Sequence, residues 1–507
     1  MIDLPKATLS IIPAEQLSGV AEQRVLLVGQ TRNPDSADKL YRDFPNDGSE
    51  DDLFIATSHI AGMVRAFKAE NKVTSLDVLS LADAVGATKG TGVITFGVGP
   101  AGADTTIYVT VGSGEDYRKE ITITSGSTTT TIGEAVANAY ATDLKKPFTI
   151  VNSGGVVTAT AINGGALCNE WGLQVEGVID GVTVAITAWT GGATDPTLTS
   201  VLDAIGDTRY QTILWPEAYD LSVVQTMLDA RFNTSNAVND GVVVQVKSDT
   251  LANLKTYADQ NSQSVVIVGM KKINDTLFKG PNTLEFPDVA AAQICAIRAL
   301  RKTDSAPLTQ YLTTTAPNDQ FGGMGSASLP YFNTALPNLP VASPANQFSE
   351  TDLAELSSNG VSVVGPNKAF NGTIFGEFVT TYLTDTAGNA DTSYKFLNTV
   401  DTASVVREYF FTNFKSRYAQ TRLTEGGLLP GRDMANASSI RAFCFGLYDA
   451  LANLALLQKG TAAKKDYDTN LAITLDISAG SVTINQAPLL VSQLRVILGT
   501  IQVNFGG

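Results

Sequence analysis

TILWPEAYDLSVVQTMLDARFNTSNAVNDGVVVQVKSDTLANLKTYADQNSQSVVIVG, residues 212–269, decides how the chain is read. TILWP (212–216), GVVVQV (241–246) and SVVIVG (264–269) are short apolar runs rich in β-branched residues, the mark of strands buried on both faces. Between them, LSVVQTMLDARF (221–232) and TLANLKTYADQ (250–260) have helical spacing. The order is βαβαβ, which predicts an open sheet with covering helices.

Upstream, RVLLVGQT (24–31) is a further buried-strand run that ends at a turn glycine. SHIAGMVRAFKAEN (58–71) puts Ile60, Met63 and Phe67 on one helical face, and SLDVLSL (75–81) reads as a strand. Residues 1–22 form an arm interrupted by Pro5 and Pro13, with Leu9, Ile11 and Ile12 between them. Near residue 89 the composition shifts to Gly, Thr and Val. Strand-like runs follow at 93–96, 106–111, 120–124, 148–151, 156–162, 173–178 and 182–189, with one helix at 132–142. Short strands and turns at this spacing predict a sandwich-like β domain, set here as an insertion.

Downstream, 288–302 reads as a helix, 316–346 as a long irregular connection, and 402–420 and 438–458 as helices; strands then lead to the terminus. In the final stretch, RVILGTIQVNFGG (495–507), Ile501, Val503 and Phe505 alternate with Gln502 and Asn504. That is a half-buried strand with nothing after it to cover its edge. The expected fold class is multidomain, α+β and α/β. An N-terminal arm (1–22) precedes an α/β body (23–88 and 198–348) that carries the β-rich insertion (89–197). A C-terminal domain (349–484) and a terminal arm (485–507) follow.

Fifty acidic against thirty-five basic residues give a net charge of −15. Nucleic-acid binding is not expected of such a chain, because phosphates need Lys and Arg. The N-terminus lacks the pattern of a secretory signal, and no apolar run reaches the ~18 residues of a membrane helix; no membrane insertion is expected. Cys168, Cys295 and Cys444 are far apart and form no C-x-x-C, so buried, reduced thiols are expected.

An α/β enzyme with a β accessory domain is the alternative, and it lacks parts. The turns after the strands, EAYD (217–220), KSDT (247–250) and MKKIND (270–275), are not the Gly-rich loops that cradle phosphates. GVGPAG (97–102) matches G-x-G-x-x-G but leads into a strand, where the fingerprint needs a helix. His59 is the only histidine and reads as a helix-start surface or packing residue. No G-x-S-x-G elbow exists. Asp385, Asn389 and Asp391 sit in a capped turn and not in a calcium loop, and the Asp51–Asp52 pair lies in an acidic, solvated loop. No catalytic residue, cofactor or metal site is expected.

Charge is uneven instead. Asp47, Glu50, Asp51 and Asp52 stand in an acidic stretch, and Arg407, Lys415, Arg417, Arg422 and Arg432 in a basic one. Opposite patches of this kind suit contacts between identical subunits. The ends suit them too. A 22-residue arm spans at most ~75 Å, and burying Ile501, Val503 and Phe505 gives on the order of 5–9 kcal/mol before ordering costs.

Four stretches, 24–31, 90–198, 372–410 and 487–505, resemble the Mu-like tail sheath proteins of contractile bacteriophages. The resemblance implies a non-enzymatic subunit of stacked hexameric rings around an inner tail tube. It implies terminal arms, carrying Leu9, Ile11, Ile12, Val496, Ile501, Val503 and Phe505, that insert as strands into neighbours. It further implies an outward insert, partners in the inner tube, baseplate and neck proteins, assembly in a host cytoplasm and residence in the virion tail. Contraction would then bend the chain at hinges near 13–20 and 479–488.

Overall fold

The computed structural model describes residues 23–112, 117–232, 239–283, 285–303, 331, 334–340, 343–366, 373–429 and 432–492. By its contacts the chain divides into a large unit, residues 22–303 with 330–400, and a small one whose described part is 401–492.

The large unit begins with β1 (Arg24–Gln30), β2 (Lys39–Tyr41), α1 (Glu50–Leu53), α2 (His59–Glu70) and β3 (Ser75–Leu81). The β-rich region follows: β4 (Thr91–Val98), β5 (Thr105–Gly112), β6 (Arg118–Ile123), α3 (Thr129–Ala139), β7 (Phe148–Ser153), β8 (Val156–Ala161), β9 (Gly172–Glu176) and β10 (Val182–Thr190). Then come α4 (Thr199–Ile205), β11 (Thr212–Leu214), α5 (Ser222–Phe232), β12 (Val242–Asp249), α6 (Leu251–Tyr257), β13 (Val265–Asn274), β14 (Phe278–Pro281) and α7 (Pro287–Thr303). β15 (Ala335–Leu336), α8 (Glu350–Ser358), β16 (Val361–Pro366) and β17 (Thr373–Phe375) close it.

The βαβαβ stretch folds as predicted. β3, β1, β11, β12, β13 and β16 lie side by side and parallel, with β2 antiparallel at one edge. Alternate side chains of these mainly apolar strands feed two cores. Leu27, Val78, Leu214, Val244 and Val266 meet α2 and α7 on one face. Leu26, Leu79, Ile213, Val243 and Ile267 meet α4, α5 and Trp215 on the other. Burial on both faces removes any need for polar alternation along the strands.

The β-rich region forms two sheets around a shared core that includes Ile94, Phe96, Ile107, Phe148, Trp171 and Trp189. One sheet runs β10-β4-β8-β7. The other, β6-β5-β9, is joined through β14 to β13 of the parallel sheet. Where β14 crosses β9 the backbones come so close that a Cβ on Gly280, which has φ +126°, would lie 2.4 Å from the Cα of Gly172. Only glycine fits such a crossing.

The small unit takes most of α9 (Leu397–Tyr418), then β18 (Arg422–Leu423), β19 (Met434–Ala435), α10 (Ala437–Asn453), α11 (Thr461–Asn470), β20 (Ala472–Asp476) and β21 (Ser481–Asn485). Its core joins Val406 and Phe410 of α9 to Ile440, Cys444, Leu447 and Leu451 of α10 and Tyr467 of α11. Asn436 caps α10 and exchanges hydrogen bonds with Ser439 in a capping box. All three cysteines are buried and free, and burial pushes the Cys295 thiol up to about 12. No helix among the described residues is long and apolar enough to cross a membrane.

Candidate functional site

The arm residues named above, Leu9, Ile11, Ile12, Val496, Ile501, Val503 and Phe505, lie outside the described residues. A described element of the small unit bears on them. β20 and β21 form an antiparallel hairpin in which Ile473 faces Ile484 and Leu475 faces Val482. Those four side chains are half-buried against the small core, while Ala472, Thr474, Asp476, Ser481 and Asn485 on the other face are exposed. Asp476 accepts from Ser478 Oγ at 2.6 Å and from the Ala479 amide at 2.9 Å, which fixes the turn, and the Ser478 bond holds its carboxyl below the usual range. Among the described residues each strand pairs on one side only. A two-stranded sheet is marginal by itself, and an unpaired edge is a template for another strand. The hinge expected at 479–488 is corrected here. Ser481–Asn485 is the second strand of this hairpin, held by five cross-strand residue pairs.

The charged residues divide between the units. In the large one, Asp47 is exposed and accepts from the Ser49 amide, Glu50 is buried, and Asp52 is exposed. Asp51 is not a solvated loop residue. It pairs with Arg65 of α2 and, at 2.7 Å, with Lys145. Burial opposes its ionisation, and the bond from Lys145 and the charge of Arg65 outweigh that, holding the carboxyl below its ordinary value. In the small unit Lys415 and Arg417 occupy the last turn of α9, where they complement the helix dipole. Arg422 and Arg432 are exposed and Arg407 is half-buried.

The single histidine, at the start of α2, is only 5% exposed and belongs to a buried polar seam. His59 Nε2 lies 3.2 Å from Asp288 Oδ2, at the start of α7. The His59 amide donates to Asn163 Oδ1, and Asn163 Nδ2 donates to Asp83. Asp83 also accepts from Gln30 Nε2 and from the Gly164 amide. The Glu217 amide donates to Asp288, and Glu217 Oε1 accepts from the Ser248 amide at 2.8 Å. Full burial, reinforced by the charge of Glu170, raises the Glu217 carboxyl well above its ordinary value. The seam ties Asn163 and Gly164 to the parallel sheet and its helices. Among the described residues no group of His, Cys, Asp and Glu could hold a metal ion. The sequence showed a lone histidine but nothing of Asp288 opposite it, 229 positions on.

Beside the seam runs a groove of about 680 Å³ between α2, α7 and the β-rich region. Gly62, Ala66 and Ala69 floor it, and Tyr117, Phe286 and Val289 wall it.

No family model matches the sequence. Over 464 residues, covering 88% of this chain and 87% of the relative, the sequence is 22% identical to the Mu-like prophage FluMu tail sheath protein of Haemophilus influenzae. This chain is similar to tail sheath proteins. The tail-sheath likeness extends to solved structures. It pairs with the sheath tail protein of Desulfitobacterium hafniense at 12% identity and TM-score 0.48, over 97% of this chain and 98% of that one. The sheath tail protein of Listeria innocua gives 12% and 0.48, over 94% and 93%. The contracted helical sheath of the anti-feeding prophage gives 10% and 0.46, over 99% of each. With TM-scores under 0.5, the sequence match carries the weight.

Proposed function

We propose that this chain is the structural subunit of a contractile tail sheath. Copies form hexameric rings that stack around an inner tube, and the stack shortens to drive the tube through a host envelope. One observation carries the reading: among the described residues the β20–β21 hairpin has no third strand, in a chain that matches a tail sheath protein along most of its length. The terminal segments that carry Leu9, Ile11, Ile12, Val496, Ile501, Val503 and Phe505 supply the missing strands to neighbouring copies. Backbone hydrogen bonds give strength, and pockets for alternate side chains give register.

Contraction then moves nearly rigid bodies while the exchanged strands stay paired. Its free energy comes from added buried, charge-complementary surface between copies, in which exposed Asp47 and Asp52 meet Lys415, Arg417, Arg422 and Arg432. The inner tube, baseplate and neck proteins are the further partners, the virion tail is the location and a host cytoplasm the place of assembly.

The test removes residues 496–507. Folded monomers that build no sheath are expected, read by circular dichroism and negative-stain microscopy. Sheaths of normal length from that variant refute the reading. Reversing charge on one patch should abolish assembly, and reversing both should restore it.

A further inference from the structure

The four strands β10-β4-β8-β7 turn one face into the core of the β-rich region, through Ile94, Phe96, Phe148, Val157, Ala159 and Ile186. The opposite face is set apart by what it lacks. One row across all four strands is Thr190, Thr91, Thr160 and Thr149, in register. The next two rows add Val93, Val151 and Val156, and otherwise only Thr, Ala and Ser. None of these twelve residues is buried, and all those on the outer strands β10 and β7 are exposed. Twelve positions on an ordinary solvated face hold roughly three or four charged side chains; these twelve hold none. The outer face of β6-β5-β9 is ordinary in this respect, with Arg118, Glu120 and Glu176. Freedom from charge therefore belongs to one face and not to the Thr-rich stretch as a whole.

We propose that this face docks on the same face of a second copy, sheet on sheet. A threonine hydroxyl both donates and accepts, so one row of threonines complements another. The β-branched side chains are stiff at χ1 and lose little freedom on contact. None is larger than Val, which lets two sheets approach to about 10 Å. Charge selects the partner. Each copy carries fifteen more acidic than basic residues, and a face without charge is where two such copies meet without local repulsion. A sugar chain fits less well, because the face is open where ligand sites are concave, and it presents no aromatic ring. Like face on like face is a two-fold contact. Four strands about 4.8 Å apart and three rows about 7 Å apart make a face of roughly 400 Å². A pair buries about 800 Å², short of the roughly 1,200 Å² of a stable complex. Two free subunits therefore pair weakly, whereas arrays of copies pair well. Neighbouring copies within one tube are related by rotation about its axis and translation along it, not by a two-fold, so the contact joins separate tubes side by side. That setting rests on the proposed sheath role; the stacking itself does not.

The test uses the full chain, whose own cysteines are all buried. Thr158→Cys places a thiol near the middle of the face, and Val85→Cys places one at a fully exposed position elsewhere. Under mild oxidation Thr158→Cys should give disulfide-linked dimers at least tenfold faster than Val85→Cys, read on non-reducing gels. Adding Thr187→Lys, at an exposed position of the same row, should bring that rate down to the Val85→Cys level and leave subunit melting unchanged. Wild-type tubes should lie in side-by-side pairs under negative stain, and Thr187→Lys tubes singly. Dimers that form no faster at 158 than at 85, or that ignore Thr187→Lys, overturn the inference. So does protection of the Thr158→Cys thiol by dextran in place of dimer formation. Wild-type tubes that stay single overturn the tube-to-tube setting. Rapid dimers from a protein that builds no tubes count against the sheath role and uphold the face.

Discussion

β12 and β20 are both short strands rich in apolar residues, and their surroundings differ. Along Val242–Val246 of β12 no residue is more than 3% exposed. Strands lie on both its sides and helices on both its faces. In β20 no residue is buried, and one edge has no partner among the described residues. The large unit completes its sheet with its own chain, whereas among the described residues the small unit's hairpin has no third strand. Stability that the first holds as a monomer, the second is expected to gain only in company.

The sharpest way to break this contrast is Trp215→Ala. The indole is fully buried and donates to the Asp220 carbonyl. Its removal should destabilise the large unit by roughly 3–5 kcal/mol in a denaturant titration. Hydrogen exchange in α10 should stay unchanged; loss of protection in both units together would show that they do not unfold independently.

Leu475→Ala comes next. A half-buried side chain should cost the free subunit only about 1 kcal/mol, while the mutant should assemble far less well than that loss suggests. Equal effects on monomer melting and on assembly would remove the distinction between the two sheets.

Glu217→Gln sharpens the comparison from the other side, by probing how completely the large unit excludes water. The folded state holds the Glu217 proton more tightly than the unfolded chain does. Its contribution to stability is therefore present below the ordinary carboxyl range and is lost as pH rises through that range and beyond. The amide should raise the melting temperature by roughly 2–4 °C at pH 7, with the gain vanishing near pH 4. A gain that is constant with pH would refute the account.

The smallest effect is expected on the outer face of β10. Thr183→Lys, at an exposed position, should change stability by less than about 0.5 kcal/mol.

Much of this contrast was legible in the sequence. β3 occupies 75–81 as read, and the runs at 212–269 became the parallel sheet because twice-buried strands announce themselves as runs dominated by Val, Ile and Leu. β14 was not legible. Phe278–Pro281 reads FKGP, too short for a period and holding the two residues that usually mark turns. α11, TAAKKDYDTN, buries only Tyr467 and so lacks an apolar stripe. The hairpin was seen only as strands leading to the terminus. That its strands pair on one side only among the described residues is a fact about pairing, which no local pattern reports. The polar seam was hidden for the same reason, since His59, Asn163, Glu217 and Asp288 meet only once the insertion closes on the body.

The doubled use of β13 has a mechanical consequence. Its residues 267–269 pair with β16, and on the same edge 272–274 pair with β14, which leads into the β-rich region. A push on that region is thus delivered through continuous backbone to β13, the last strand but one of the parallel sheet. Such a joint transmits torque as a bracket does, with little of the slack of a tether.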